Sequence, residues 1–450
     1  MPDPQTAPKP CLKPLTCSRS SEGRLFVGGC DVTDLARIHG TPLYIVDEQD
    51  VRVACRRYQS ALKVHYPGAS RVLFASKSHC TMAIAALVHQ EGLGLDVVSA
   101  GEMMTALKAG VPASALVMQG NNKPRGELVM GLEAGVGRIN VDNLDELDAV
   151  LELTESLGVT TKILLRVAPG IEAHTHEFIQ TGKEDSKFGL DLGSGQLDQA
   201  LVRLASQSRV QWLGLQAHIG SQIFDVRAFE EAAAVMVRLL AEVRERYGVV
   251  AAELDLGGGL GIVYEAQDAP PAIEEAVAAI ARAVVAQCEK WQYPLPALVL
   301  EPGRSIIGTA GITAYRVGYS KVVPGIRRYV MLDGGMADNP RPITYGAVYQ
   351  AELAERETGT PERVTLAGRY CESGDVLIKD ALLPSPQAGE TVVVYGTGAY
   401  NHSMASTYNR CGRPAMVLVR DGVAVTIVER ESLDDLMRLD RLPAHLKAGG

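Results

Sequence analysis

The chain has 450 residues, about three domains at the usual soft prior, although a single (β/α)8 barrel alone can absorb roughly 250. A composition of 46% hydrophobic and 22% charged residues excludes disorder, collagen and coiled coil. With 44 Lys and Arg against 53 Asp and Glu the net charge is −9, so there is no basic field to hold a nucleic acid.

In chain order, residues 1–23 have no apolar signal core and carry three prolines among the first nine positions, so they read as a disordered tail and the protein is expected in the cytoplasm. Residues 42–46 (PLYIV) are strand-like. Eight further β-rich runs come next, at 72–76, 95–99, 116–119, 138–141, 162–167, 212–218, 253–256 and 298–301, with helical stretches between them. In one of these stretches Phe229, Ala233, Met236, Leu240, Val243 and Tyr247 recur at helical spacing, with Gly248 placed as a C-terminal cap. Eight strands with intervening helices predict a closed (β/α)8 TIM barrel, whereas a doubly wound sheet more often stops at five or six. The longest apolar stretch, 276–288, is too short to cross a membrane and is broken by Arg282.

After residue 305 the β-rich runs (313–323, 328–333, 364–366, 391–395, 415–420 and 423–429) lose their long helices, which predicts a second, mainly antiparallel β-domain. Asp421-Gly422 between the last two is a type I′ hairpin signal. Residues 42–46 are assigned to the same domain, which is then built from both chain ends. The expected organisation is a tail at 1–23, the N-terminal part of the β-domain at 24–48, the barrel at 49–305, the rest of the β-domain at 306–440 and a tail at 441–450.

Barrel enzymes build their sites at the C-terminal ends of the strands, so the residues that end each run are informative. The first run leads to Lys77, the fourth to Asp142, the sixth to His218 and Ser221, the seventh to Gly257-Gly258-Gly259, and the eighth to Glu301-Pro302-Gly303-Arg304. The glycine stretch is either a phosphate cradle or a tight turn; it is not a Rossmann fingerprint, because Tyr264 stands at the third glycine position. Lys77 points either into the barrel mouth or outward. Beside a phosphate cradle, a strand-end lysine is a candidate covalent partner for pyridoxal phosphate, and a carboxylate such as Glu301 keeps a pyridine nitrogen protonated. His218 is either a ring-stacking residue or a satisfied core histidine. His174 and His176 lack a third ligand at suitable spacing, so no metal site is expected, and the eight scattered cysteines are expected to be reduced. In the β-domain, 339–345, 371–375 and 398–404 are polar clusters that read singly as turns and together as a second wall of the site.

These residues carry a resemblance. FASK around Lys77, 174–189 (HTHEFIQTGKEDSKFG), 218–223 (HIGSQI), 254–262 (LDLGGGLGI), 301–305 (EPGRS), 371–375 (CESGD) and 398–409 (GAYNHSMASTYN) resemble, in order over residues 24–440, the diaminopimelate decarboxylases, pyridoxal phosphate enzymes of the alanine-racemase-like fold type. The resemblance implies a homodimer with shared active sites. Lys77 would bind the cofactor covalently, His218 would stack on its ring, and Glu301 would partner its ring nitrogen. Ser221, Gly258, Gly259, Gly303, Arg304 and Tyr400 would surround its phosphate. Arg304, Arg341 and Tyr345 would hold the distal carboxylate of the substrate and Glu372 its distal ammonium, with Tyr400 also lining the substrate site. Cys371, reaching across from the other subunit, would protonate the product. The implied reaction converts meso-2,6-diaminopimelate, at its D centre, to L-lysine and carbon dioxide, the last step of lysine biosynthesis. Ser78-His79 after the lysine and the stretch MLDGGMADNPRP depart from the family pattern without removing a group of assigned role. The competing readings are a related decarboxylase acting on ornithine, arginine or carboxynorspermidine, and a catalytically dead regulatory relative. An ornithine enzyme has no use for Arg341 and Tyr345.

Overall fold

The computed structural model describes residues 11–171 and 186–447. The expectations placed on residues 1–10, on His174, His176 and the rest of 174–185, and on 448–450 lie outside them.

The chain forms two units, the first of which comprises, among the described residues, 11–15, Gln49–Ala310 and Gly398–Ser403. Among the described residues, eight parallel strands close a barrel: Ser70–Ala75, Gly94–Val97, Leu116–Met118, Arg138–Val141, Thr161–Ala168, Val210–Gln216, Glu253–Asp255 and Ala297–Leu300. Closure is made where Leu298 and Leu300 pair with Ser70 and Val72. All eight expected runs are strands. Their nearly continuous apolar composition fits strands covered on both faces, and Leu73, Val117 and Val299 cluster with 5% exposure or less. Four of the intervening helices begin on side-chain caps that satisfy orphan amides: Thr81 to Ile84, Ser99 to Glu102, Asn143 to Glu146 and Asp225 to Arg227. Val226–Tyr247 ends on Gly248 in the left-handed conformation, as its spacing predicts. The apolar stretch at 276–288 lies inside the helix Ile273–Lys290. No helix among the described residues is long and apolar enough to cross a membrane.

The second unit comprises Thr16–Glu48, Gly311–Thr397 and the residues from Met404 onward. Its mixed sheet runs in the order Val376–Pro384, Pro361–Ala367, Arg327–Leu332, Gly311–Val323, Leu43–Asp47, Ala415–Arg420, Val423–Val428, with Thr391–Tyr395 also pairing Gly311–Val323. Most neighbours are antiparallel. Leu43–Asp47 lies between Gly311–Val323 and Ala415–Arg420, so the N-terminal strand does join the C-terminal sheet. Asp421 and Gly422 have φ of 50° and 78°, the two positive values that a type I′ turn demands.

The structure departs from the sequence reading in three places. Ser18–Arg19 pairs with Leu25–Val27, and Thr16 donates to Asp47 through its amide and its hydroxyl, so order begins inside the stretch read as a tail. Ala351–Leu353 and Val376–Pro384 are strands that composition does not announce. The first unit also continues to Ala310 and takes back Gly398–Ser403 from far along the chain.

Candidate active site

Most barrel strands turn polar at or just beyond their C-terminal ends, and the candidate residues of the first unit stand there. Lys77 sits in the short turn Ser76–Ser78 directly after the first strand. The returning segment fixes its main chain: the Ser403 hydroxyl donates to the Lys77 carbonyl at 3.0 Å, and the Tyr400 amide to the Ser78 carbonyl at 2.8 Å. The Lys77 side chain keeps a solvent-accessible face. Its crowded surroundings act to lower the pKa, but the charges of Asp96, Tyr400 and Glu301 outweigh them and the net shift is upward. His218 accepts from the Gly258 amide at Nδ1, 3.3 Å away, which leaves its proton on Nε2. Burial, then the charges of Lys77 and Arg166, hold the ring well below its ordinary pKa, so it is neutral.

Glu301, 6% exposed, comes directly after the eighth strand and receives two amide donors: Gln119 Nε2 to Oε1 at 2.5 Å and Gln216 Nε2 to Oε2 at 3.0 Å. Asn140 Nδ2 in turn donates to Gln119 Oε1. Burial first, and the Glu301 charge second, push Asp96 and Asp255 well above the usual carboxylate range. Beyond Asn140 lies Lys123, whose side chain is fully buried; its Nζ donates to the carbonyls of Gly120 (2.8 Å) and Asn140 (2.6 Å) and to Glu146 Oε1 (2.7 Å).

Arg304, 5% exposed, donates through Nε and Nη2 to Ser221 Oγ (3.2 and 2.9 Å) and through Nη1 to the Tyr264 hydroxyl (2.7 Å), with its guanidinium 4.7 Å from the Tyr400 ring centroid. The neighbouring glycines have no room for a side chain. A Cβ at Gly258 would collide with the Glu301 carbonyl, and one at Gly303 would come within 2.8 Å of Ser78 Oγ. A hydroxyl, two tyrosines and an arginine therefore meet beside glycines that leave no room for side chains, and the Lys77 amine feels the charges of Tyr400 and Glu301. That donor set fits a phosphorylated pyridine aldehyde: an anion among N–H and O–H donors, an aldehyde at an amine and a ring nitrogen at a carboxylate.

The second unit carries the other candidates. Arg341, 7% exposed, opens the short helix Arg341–Tyr345, donates from Nη1 to the Tyr349 hydroxyl at 2.8 Å, and shares that helix with the half-buried Tyr345. The loop 371–375 packs against this helix, since a Cβ at Gly374 would lie 2.6 Å from Ile343 Cδ1. Cys371 and Glu372 are exposed. The Cys371 backbone is held at both ends: its amide donates to Asn409 Oδ1 at 2.8 Å and its carbonyl accepts from the Tyr408 hydroxyl at 3.2 Å. Behind the loop, Asp375 accepts from the amides of Met336 and Tyr370, and buried Asp338 accepts from Tyr315, Tyr370 and the Gly335 amide.

Residues 48–308 match the family model described as "Pyridoxal-dependent decarboxylase, pyridoxal binding domain". Over 449 residues the chain is 46% identical to a diaminopimelate decarboxylase of Synechocystis, covering 98% of this chain and 95% of that one. The chain belongs to the diaminopimelate decarboxylase family. Another member, from Bacillus subtilis, is 44% identical over 94% of this chain and 97% of its own length. The crystal structure of a diaminopimelate decarboxylase from M. jannaschii in complex with L-lysine superposes with a TM-score of 0.91 at 35% identity, covering 97% of this chain and all of that one. The cofactor of this family is pyridoxal phosphate, in agreement with the donor set at the barrel mouth.

Sequence reasoning passed over Gln119, Asn140, Lys123, Gln216, Asp96 and Asp255. All but Lys123 are polar residues within or just after an apolar run, a signal that was there to be read: a group that costs free energy to bury persists where it has a partner.

Proposed function

We infer that the protein decarboxylates meso-2,6-diaminopimelate at its D centre, releasing L-lysine and carbon dioxide, as a homodimer with shared sites. The observation that carries the choice of substrate is the buried guanidinium of Arg341 with Tyr345 on the same short helix. A buried cation of this kind answers a carboxylate, which the distal end of diaminopimelate has and that of ornithine lacks.

Lys77 would hold the cofactor covalently through Nζ, His218 would lie against its ring, Glu301 would face the ring nitrogen, and Ser221, Gly258, Gly259, Gly303, Arg304 and Tyr400 would surround the phosphate. Bound pyridoxal phosphate supplies an electron sink for the pair left behind when carbon dioxide departs. The remaining work falls to the chain. Arg304, Arg341 and Tyr345 engage the distal carboxylate and Glu372 the distal ammonium, so a substrate lacking either group loses the matching contact. His218, neutral and with Nδ1 occupied, adds no positive charge beside the lysine amine. Cys371, on an exposed loop clamped by Tyr408 and Asn409, delivers a proton to the α-carbon in the neighbouring subunit's site.

The test is carbon dioxide release measured with the diaminopimelate isomers, ornithine and arginine. Release from the meso isomer alone is expected. Comparable or faster release from ornithine or arginine would overturn the assignment.

A further inference from the structure

A carboxylate serves a ring nitrogen well only if it is held in one orientation, and the structure shows how Glu301 is held. We propose that Gln119 and Gln216 are positioning residues that fix Glu301 by occupying both its oxygens, and that Asn140 sets the direction in which Gln119 faces. The inference rests on the reading that Glu301 serves the ring nitrogen.

A primary amide has a donor end and an acceptor end. Gln119 presents Nε2 to Glu301 Oε1 at 2.5 Å, while its own Oε1 accepts from Asn140 Nδ2. Turning this amide over would set two acceptors against each other at Glu301 and two donors against each other at Asn140, so both ends specify a single orientation. The arrangement is backed from behind: Lys123 Nζ bridges the carbonyls of Gly120, the residue after Gln119, and of Asn140. Gln119, Asn140 and Gln216 are 4%, 1% and 1% exposed, so bulk water does not compete for these bonds. Gln216 supplies the second donor at 3.0 Å without comparable backing, since its Oε1 has no hydrogen-bond partner among the described residues. Gln216 is held at one end of its amide, by Glu301, whereas Gln119 is held at both ends, by Glu301 and by Asn140. The two glutamines are therefore unequal, and the side supported by Asn140 carries more of the effect.

The experiment titrates full-length apoprotein with pyridoxal phosphate and with its 1-deaza analogue, in which a C–H replaces the ring nitrogen, and takes the ratio of the two dissociation constants. The wild type should prefer the natural cofactor, and Glu301→Gln should lose that preference. Gln119→Met, which keeps length and removes the donor, should lower the preference about tenfold, the scale of one hydrogen bond to a charged group. Asn140→Asp, nearly isosteric but unable to donate, should do the same by turning the Gln119 amide over; it covers the case in which Gln119→Met does not fold. Gln216→Met should have a smaller effect. A general structural defect would weaken both ligands alike and leave the ratio unmoved. A wild-type ratio in Gln119→Met and Asn140→Asp, alongside a collapsed ratio in Glu301→Gln, would overturn the clamp alone. An unchanged ratio in Glu301→Gln would overturn the reading of Glu301 and this inference with it.

Discussion

Replacing Lys123 by methionine keeps the length of the stem and deletes one ammonium, and the structure sets what that deletion costs. Glu146, whose side chain is 4% exposed, loses a partner at 2.7 Å, and its Oε2 has no hydrogen bond to fall back on. The carbonyls of Gly120 and Asn140 lose donors at 2.8 and 2.6 Å. Leaving a buried charge uncompensated costs about 3–5 kcal/mol, a large share of the roughly 5–15 kcal/mol that holds a domain folded. The assay is urea unfolding monitored by tryptophan fluorescence. Trp212 and Trp291 are the chain's two tryptophans and both belong to the first unit, so the signal reports the barrel. Burial already raises the Glu146 pKa, and without Lys123 it rises further. A carboxyl with a raised folded-state pKa loses stability as pH climbs through that value, so the deficit of the variant should be larger at pH 8 than at pH 5. Lys123→Met combined with Glu146→Leu should recover most of the loss, because removing both members of a buried pair is often neutral or better. A deficit below about 1 kcal/mol at pH 8, the scale of an exposed ion pair, would refute the argument.

Lys77→Ala should retain the wild-type circular dichroism while losing turnover and the ability to be labelled covalently by cofactor and borohydride; persistent labelling would move the attachment elsewhere. Subunit exchange between Lys77→Ala and Cys371→Ala proteins, each nearly inactive, should restore activity towards about a quarter of wild type under random mixing, because half the dimers are mixed and half their sites intact. No recovery after exchange verified by mass would mean that each subunit completes its own site. Asp338 is pushed up to about 7 by burial, against the donors Tyr315, Gly335 and Tyr370. Its folded-state pKa thus exceeds the unfolded one, and the second unit should lose up to about 4 kcal/mol between roughly pH 4 and pH 7. Asp338→Asn should flatten that slope, as measured by hydrogen exchange in Gly311–Val323; an equal slope in both proteins would remove Asp338 as its source.

The barrel was legible because buried parallel strands leave uninterrupted apolar runs, and the last hairpin because Asp421-Gly422 is a local turn code. Val376–Pro384 was not, since Asp380 interrupts it with a φ of 55° and breaks the alternation that marks a strand. Ala351–Leu353 is too short for any periodicity. At the site, residues such as Lys77 and Glu301 stand at strand ends, where chemistry is expected. Gln119 and Asn140 look like ordinary strand termini, and only the closing of the barrel brings them into line with Glu301. The return of Gly398–Ser403 to the first unit is a tertiary fact with no local signature.

That return also sets an order of events during synthesis. The eighth barrel strand is finished at Leu300, yet the segment that pins Lys77 through Ser403 and supplies Tyr400 emerges only after the strands up to Thr391–Tyr395 have been made. At about 5–20 residues per second, a ribosome needs on the order of 5–20 seconds to cover that interval. Throughout it the nascent barrel has its strands but not the segment that holds the Lys77 main chain, and Leu43–Asp47, translated long before, still awaits Ala415–Arg420 at its second edge. A chain truncated ahead of Gly398 lacks the contacts that fix the Lys77 main chain.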